Sequence, residues 1–143
     1  MGVRRNAVLV PFHRASGRIL VQDRRGHKPP PWGFFGGAIE AGETPLGAVV
    51  REVREELLFA LPAAELTYLG EFAGRYGDLS LTLHAFSWSF DGALGRFGQT
   101  EGAGMDLVSV DERLRRTELG GPDYALTLAL QGYLNNCRSG GGR

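Results

Sequence analysis

A mixed α/β fold is predicted by three observations. Four apolar runs bounded by turn residues, at 6–12, 18–22, 65–73 and 79–90, have the length of strands. A glycine-rich loop opens onto an amphipathic helix that begins at Pro45, and a longer amphipathic helix begins at Pro122. The order of these elements implies a mixed sheet with helices on both faces.

The elements follow in chain order. Asn6 to Phe12 and Arg18 to Gln22 read as strands joined by a turn around Ala15-Ser16-Gly17, hence a hairpin. Asp23 to Pro31, DRRGHKPPP, is a polar, proline-rich loop that cannot be a central strand, and loops of this kind often line a site. Trp32 to Ile39 lead into the first helix. There Thr44 suits the N-cap and Pro45 the first helical position. Leu46, Val49 or Val50, Val53 and Leu57 recur at helical spacing and are expected to pack on the sheet, on the side away from the acidic residues of the same helix. Glu65 to Ala73 and Leu79 to Phe90 form two further strands around a turn at Arg75-Tyr76-Gly77-Asp78. The aromatic stripe Phe86, Trp88 and Phe90 reads as core. Met105 to Val110 is a strand, Asp111 to Arg116 a short helix, and Pro122 to Asn136 the long amphipathic one. A single domain over 1–137 is expected, with a flexible tail over 138–143, RSGGGR, which has no apolar anchor.

Glu52, Glu55 and Glu56 stand at i, i+3 and i+4 of the first helix, which places three carboxylates within about one turn. Left alone they repel by a few tenths of a kcal/mol per pair, whereas a hard divalent cation turns the repulsion into coordination. Taken by itself, REVREE reads as an ordinary salt-bridged surface helix. Spacing overrides that reading. Gly37 is followed after five residues by Glu43, then after seven by Arg51-Glu52, an apolar Val53, one residue, and Glu55-Glu56. This stretch resembles the Nudix box, G-x5-E-x7-R-E-U-x-E-E-x-G-U, and matches every specified position but the last glycine, where Leu58 stands.

Two departures bear on loop geometry rather than chemistry. A glycine just after a helix supplies the left-handed C-cap, which costs other residues roughly 1 kcal/mol or more. Leu58 is therefore expected to avoid that conformation, either by extending the helix toward Leu61-Pro62 or by rebuilding the exit loop. Upstream, in GFFGG, Phe35 takes a position that proline usually holds in the family.

The resemblance implies the α/β/α sandwich of the Nudix fold around a mixed β-sheet. It also implies metal-dependent hydrolysis of a nucleoside diphosphate linked to another group, with Mg2+ or Mn2+ as cofactor. Glu52 and Glu56 match the family's main metal carboxylates, Glu55 a ligand of a second ion or a holder of water, and the Gly36 carbonyl a loop ligand. Gly37, Glu43 and Arg51 match structural positions of the box, the last two as an ion pair fixing loop to helix. Family members differ in their general base; Glu52 is the first candidate, Glu55 lies beside it, and Glu101 is the distant alternative that would also join the metal site. For substrate contact the resemblance points to Arg24 and Arg25 for phosphate, Phe34 in the GFFGG segment, and Asp123 as a base-reading residue. Asp123 is equally well read as a helix-start residue favoured by the macrodipole. His13, His27 and His84 sit in no partner spacing and read as structural or surface residues.

Composition is consistent with a small enzyme. The 143 residues carry 43% apolar and 22% charged side chains and a formal net charge of zero, so no global basic field exists to attract long nucleic acid. The lone cysteine, Cys137, excludes an intrachain disulfide, and no segment has the length of a membrane span or the pattern of a signal peptide, so a cytoplasmic setting is expected. Many relatives dimerise, and a homodimer is open. The favoured substrate is a nucleoside triphosphate, an oxidised purine being one option, cleaved to a monophosphate and pyrophosphate. The alternatives are a dinucleoside polyphosphate, with Tyr76 stacking on a second base, a nucleotide sugar, or a binding module without turnover.

Overall fold

The computed structural model describes residues 2–23, 32–91, 97–98, 104–115 and 122–141. Among the described residues seven strands and three helices follow one another: β1 (Gly2–His13), β2 (Arg18–Asp23), β3 (Trp32–Gly33), β4 (Phe35–Ala38), α1 (Pro45–Leu57), β5 (Thr67–Tyr76), β6 (Leu79–Phe90), β7 (Gly104–Ser109), α2 (Val110–Arg115) and α3 (Pro122–Gly141). A 3-10 turn at Ala63–Glu65 precedes β5. No helix among the described residues is long and apolar enough to cross a membrane.

The sheet is mixed, with β1 at its centre. β1 runs parallel to β6 over its whole length, from Gly2 opposite Leu79 to His13 opposite Phe90, and β5 runs antiparallel to β6. On its other side β1 is shared: Asn6–Leu9 pair with β4, and Phe12–His13 pair with β2. β2 in turn pairs with β3 and β7. The sheet therefore divides along β1 between Leu9 and Phe12, and Pro11, which has no N–H to offer a ladder, falls in this notch.

Both faces are covered, as the continuous apolar run of β1 requires. Ala7 and Leu9 pack with Val49, Val53 and Leu57 of α1 and with Phe86, Trp88 and Phe90 of β6, so the aromatic stripe is core. Val8 and Val10 face the opposite layer, with Val110 of α2 and Leu126 and Leu130 of α3. This is the α/β/α sandwich with a mixed sheet, and it sets α1 and α3 on opposite sides of the notch.

Four expectations are corrected. Leu46 is 39% exposed and does not pack on the sheet; Ala48, two residues further along the helix, is buried instead. Glu56 is not on the side away from the apolar face: three residues from Val53, it shares that side and is buried. Leu58 adopts the left-handed conformation, φ 52° and ψ 38°, and its N–H bonds the Arg54 carbonyl at 3.0 Å. The helix thus stops where a glycine would stop it. Finally, the α3 backbone continues helically through Gly141, beyond the Asn136 at which the long helix was expected to end.

Candidate active site

β4 and α1 bring the box residues together. Thr44 Oγ1 accepts from the Gly47 N–H at 3.0 Å, while the turn before it is closed by the Glu43 N–H on the Glu40 carbonyl at 3.0 Å and the Glu40 N–H on Glu43 Oε1 at 2.9 Å. This turn carries Glu43 back to Arg51. Arg51 Nε and Nη2 donate to Glu43 Oε2 and Oε1 at 2.8 and 2.9 Å, a fork-on-fork pair, and Nη2 also reaches the Ala38 carbonyl at 3.1 Å. Arg51 ties loop, strand and helix together. The Arg51 hydrogen bonds, helped by the Glu40 N–H, hold the Glu43 carboxyl down at about 2, and Glu43 in turn raises the Arg51 guanidinium above its ordinary value.

The three helix glutamates point three ways. Glu56 turns inward, and its Oε1 accepts the Gly36 N–H at 2.7 Å. Glu52 is largely covered and takes a 2.8 Å bond from Arg51 Nη1, its carboxylate lying against Gly37. Glu55 faces solvent, 3.6 Å from Arg51 Nη1. Among the described residues no three acidic side chains are gathered into a cluster that could hold an ion as they stand. The cause is visible: Glu52 and Glu56 are each held by a protein donor, Arg51 Nη1 and the Gly36 N–H.

Both glycines are required by close approach. A Cβ on Gly36, whose φ is +143°, would lie 2.0 Å from the Ala7 carbonyl oxygen of the paired strand. A Cβ on Gly37 would lie 2.6 Å from Glu52 Cδ. The loop backbone therefore sits directly against the two carboxylates. This donor set is all hard oxygen, with a cradle that any side chain would fill, and it fits a divalent cation such as Mg2+ or Mn2+.

A second group assembles across the sheet. Arg113 of α2 is 1% exposed, and its Nη2 donates to Asp123 Oδ2, in the first turn of α3, at 3.0 Å. Its Cζ lies 4.6 Å from the centre of the Phe34 ring. Phe34 is itself buried, and its ring carries this guanidinium. Arg113 escaped the sequence analysis because DERLRR offers no local signal that separates it from Arg115, which is exposed. Arg24, Arg25, His27 and Glu101 lie outside the described residues, as does the Tyr76 side chain. His84 is buried against Arg5 and Tyr68, at 3.2 and 3.0 Å, and His13 bonds Ser16 Oγ at 2.7 Å, which suits structural roles for both.

The comparisons with known proteins agree with this geometry. A family model described as NUDIX domain matches residues 3–124. No curated protein sequence matches the chain. Solved structures that share the fold include the ORF135 protein of E. coli, at 24% identity over 92% of this chain and 91% of that one, with a TM-score of 0.70. The MutT protein from Methanosarcina mazei Go1 is 16% identical over 94% and 95% of the two chains, with a TM-score of 0.71. The E. coli dihydroneopterin triphosphate pyrophosphohydrolase is 20% identical over 95% and 99%, with a TM-score of 0.70.

Proposed function

Because the chain belongs to the NUDIX domain family and is a hydrolase acting on pyrophosphate bonds, we propose that its substrate is a nucleoside triphosphate, cleaved to a nucleoside monophosphate and pyrophosphate in a reaction dependent on Mg2+ or Mn2+. The observation that carries this reading is the close approach of Glu52 and Glu56 to the Gly36-Gly37 backbone, with Glu56 on the Gly36 N–H at 2.7 Å and Glu52 where a Cβ on Gly37 would lie. The triphosphate choice is supported by the shared fold with a protein named for dihydroneopterin triphosphate. A cytoplasmic setting accords with the lone cysteine.

Glu52, Glu56 and the Gly36 carbonyl would hold the cation, with Glu55 as a further ligand or a holder of water. A cation bound there supplies neutralisation of phosphate charge and polarisation of the P–O bond. The residues themselves do the rest. Arg51 keeps the Glu52 carboxylate turned to the loop. Glu52, as general base, takes a proton from the attacking water while the water oxygen bonds to phosphorus and the bridging P–O bond breaks. Glu55, half in solvent, and Glu101 are the other candidates for this proton. Arg24 and Arg25 would meet the phosphates and Asp123 the base.

Release of phosphate and pyrophosphate tests the proposal, with oxidised and canonical nucleoside triphosphates, dinucleoside polyphosphates and nucleotide sugars as substrates. Triphosphate turnover that requires the cation and falls roughly a hundredfold or more in Glu56→Gln is expected, since such charge stabilisation is worth several kcal/mol. The glutamine keeps an acceptor for the Gly36 N–H and so preserves the fold. Turnover of the other two classes alone would reassign the substrate, and folded protein that binds nucleotides without turnover would make it a binding module.

A further inference from the structure

A strand at the edge of a sheet presents a row of backbone N–H and C=O groups to any chain that can pair with them, and folded proteins rarely leave such an edge long and regular. β5 is such a strand. Among the described residues it pairs with β6 only, and no backbone bond reaches its outer side. A bulge at Leu69 interrupts the ladder, but from Gly70, opposite Ala85, to Tyr76, opposite Leu79, the register is unbroken. That stretch, GEFAGRY, holds no proline or lysine to block an incoming strand. Since β6 and β1 lie between β5 and β4, the edge stands roughly 14 Å across the sheet from the glycine loop.

The side chains of this stretch are complementary to their own reverse. Glu71, Ala73 and Arg75 stand opposite His84, Thr82 and Ser80 on one face, while Phe72 packs on the other face, in the layer of α3, with Gly74 beside it. In an antiparallel pair centred on Ala73, residue 71 of one copy stands across from 75 of the second, and 72 across from 74. Each Glu71 then meets an Arg75, and each Phe72 ring lies over a Gly74 that has no side chain to displace it. Both charges are available for this. The Glu71 side chain is 63% exposed, 3.6 Å from His84 Nε2, and Arg75 is exposed with no ion-pair partner among the described residues. Charges on an edge usually guard it by repelling a second copy. These two have opposite signs about one centre, which cancels the defence against self-pairing. β7, with Asp106 as its one charge, has no such symmetry.

We propose that β5 pairs antiparallel with β5 of a second copy about a twofold axis at Ala73, joining two sheets into one with two Glu71–Arg75 contacts across the seam. The contact is isologous, so it closes at two copies and does not propagate.

Sedimentation velocity of the full chain over a concentration series tests this, with thermal unfolding as the check on folding. The wild type should sediment as a dimer that dissociates on dilution. Arg75→Glu sets carboxylate against carboxylate at both contacts, and Glu71→Arg sets guanidinium against guanidinium, so each weakens the dimer roughly tenfold or more. Recovery identifies the register: the double variant Glu71→Arg/Arg75→Glu restores the dimer, and an equimolar mixture of the two single variants forms a mixed one, because opposite charges again meet at both contacts. Ala73→Lys, which places like charges on the axis and leaves both pairs intact, dissociates it independently. All three positions are exposed, so the variants should unfold like the wild type. A wild type that stays monomeric at every concentration would overturn the inference. So would a dimer that survives either single reversal or Ala73→Lys, or one that neither the double variant nor the mixture restores.

Discussion

Two of the protein's arginine–carboxylate pairs differ in burial and in the elements they join. Arg51 and Glu43 lie eight residues apart, joined by two hydrogen bonds, with side chains 26% and 22% exposed. Arg113 and Asp123 belong to different helices and are 1% and 10% exposed, with a 3.0 Å bond between them. The first pair clamps a loop to the helix that follows it. The second lies between the sheet and its outer helices, where water cannot replace a missing partner. A local clamp at the surface fails gradually, whereas a buried pair fails abruptly once one member is lost.

The largest expected effect breaks the buried pair. Arg113→Met leaves Asp123 beside an apolar side chain, and loss of one partner of such a pair costs roughly 3–5 kcal/mol. Urea unfolding should show this loss for Arg113→Met and recovery of most of it in the double variant with Asp123→Leu. If the single variant is as stable as the wild type, the two pairs are less different than their burial implies.

Next in size is a change that strains the clamp's neighbour without touching either arginine. In Gly37→Ala the new methyl would lie 2.6 Å from the Glu52 carboxylate, whose Oε1 accepts from Arg51 Nη1 at 2.8 Å. The carboxylate must move, and a displacement of about 1 Å in a reacting site costs up to roughly a hundredfold in rate. Turnover should fall at least tenfold while the unfolding midpoint shifts little. A variant with full activity would detach Glu52 from the chemistry.

The same contrast decides what could be read from the sequence. Glu43, Arg51 and the three glutamates were legible because one loop and one helix hold all of them, and helical spacing fixes their relation. The inward turn of Glu56 was not, since a helical pattern gives angular separation but not which side meets the sheet. Arg113 was invisible because its partners are the ring of Phe34 and the first turn of another helix, contacts that only tertiary structure creates. The parallel pairing of β1 with β6 was hidden for a similar reason: the two strands are separated by all of β2 to β5, so no turn chemistry sets their register. Phe35 was readable only as a departure from proline, whereas in the structure it is a fully buried core residue.

A smaller effect sharpens the surface pair. Glu43 is held at about 2 against an ordinary 4.5, chiefly by its hydrogen bonds to Arg51. A carboxyl lowered in the folded state contributes stability that is fully present above its unfolded value and is lost as the pH falls through the folded one. The contribution should therefore disappear between about pH 4.5 and 2. Thermal melts of the wild type and Glu43→Gln should differ most at neutral pH and converge toward pH 2. Parallel curves across that window would show that Arg51 takes its stability from other contacts.

The smallest effect concerns a local feature with no charge at all. Leu58 closes α1 in the left-handed region, which costs an L-residue about 1–2 kcal/mol, and it is 65% exposed, so little burial offsets the strain. Its side chain does meet the segment that follows β6: a Cβ on Gly98 would lie 2.8 Å from Leu58 Cδ1, and the Gly98 N–H bonds the Leu57 carbonyl at 2.8 Å. Leu58→Gly removes the strain and that contact together while leaving the backbone bonds in place. A net gain of about 1 kcal/mol or less is expected in denaturant unfolding, with turnover unchanged because Glu52 and Glu56 lie within the helix before the cap. Loss of stability instead would mean that Leu58 holds the 97–98 segment against the helix end, and that the chain gives up cap comfort to anchor Phe97 on Phe59 and Trp88.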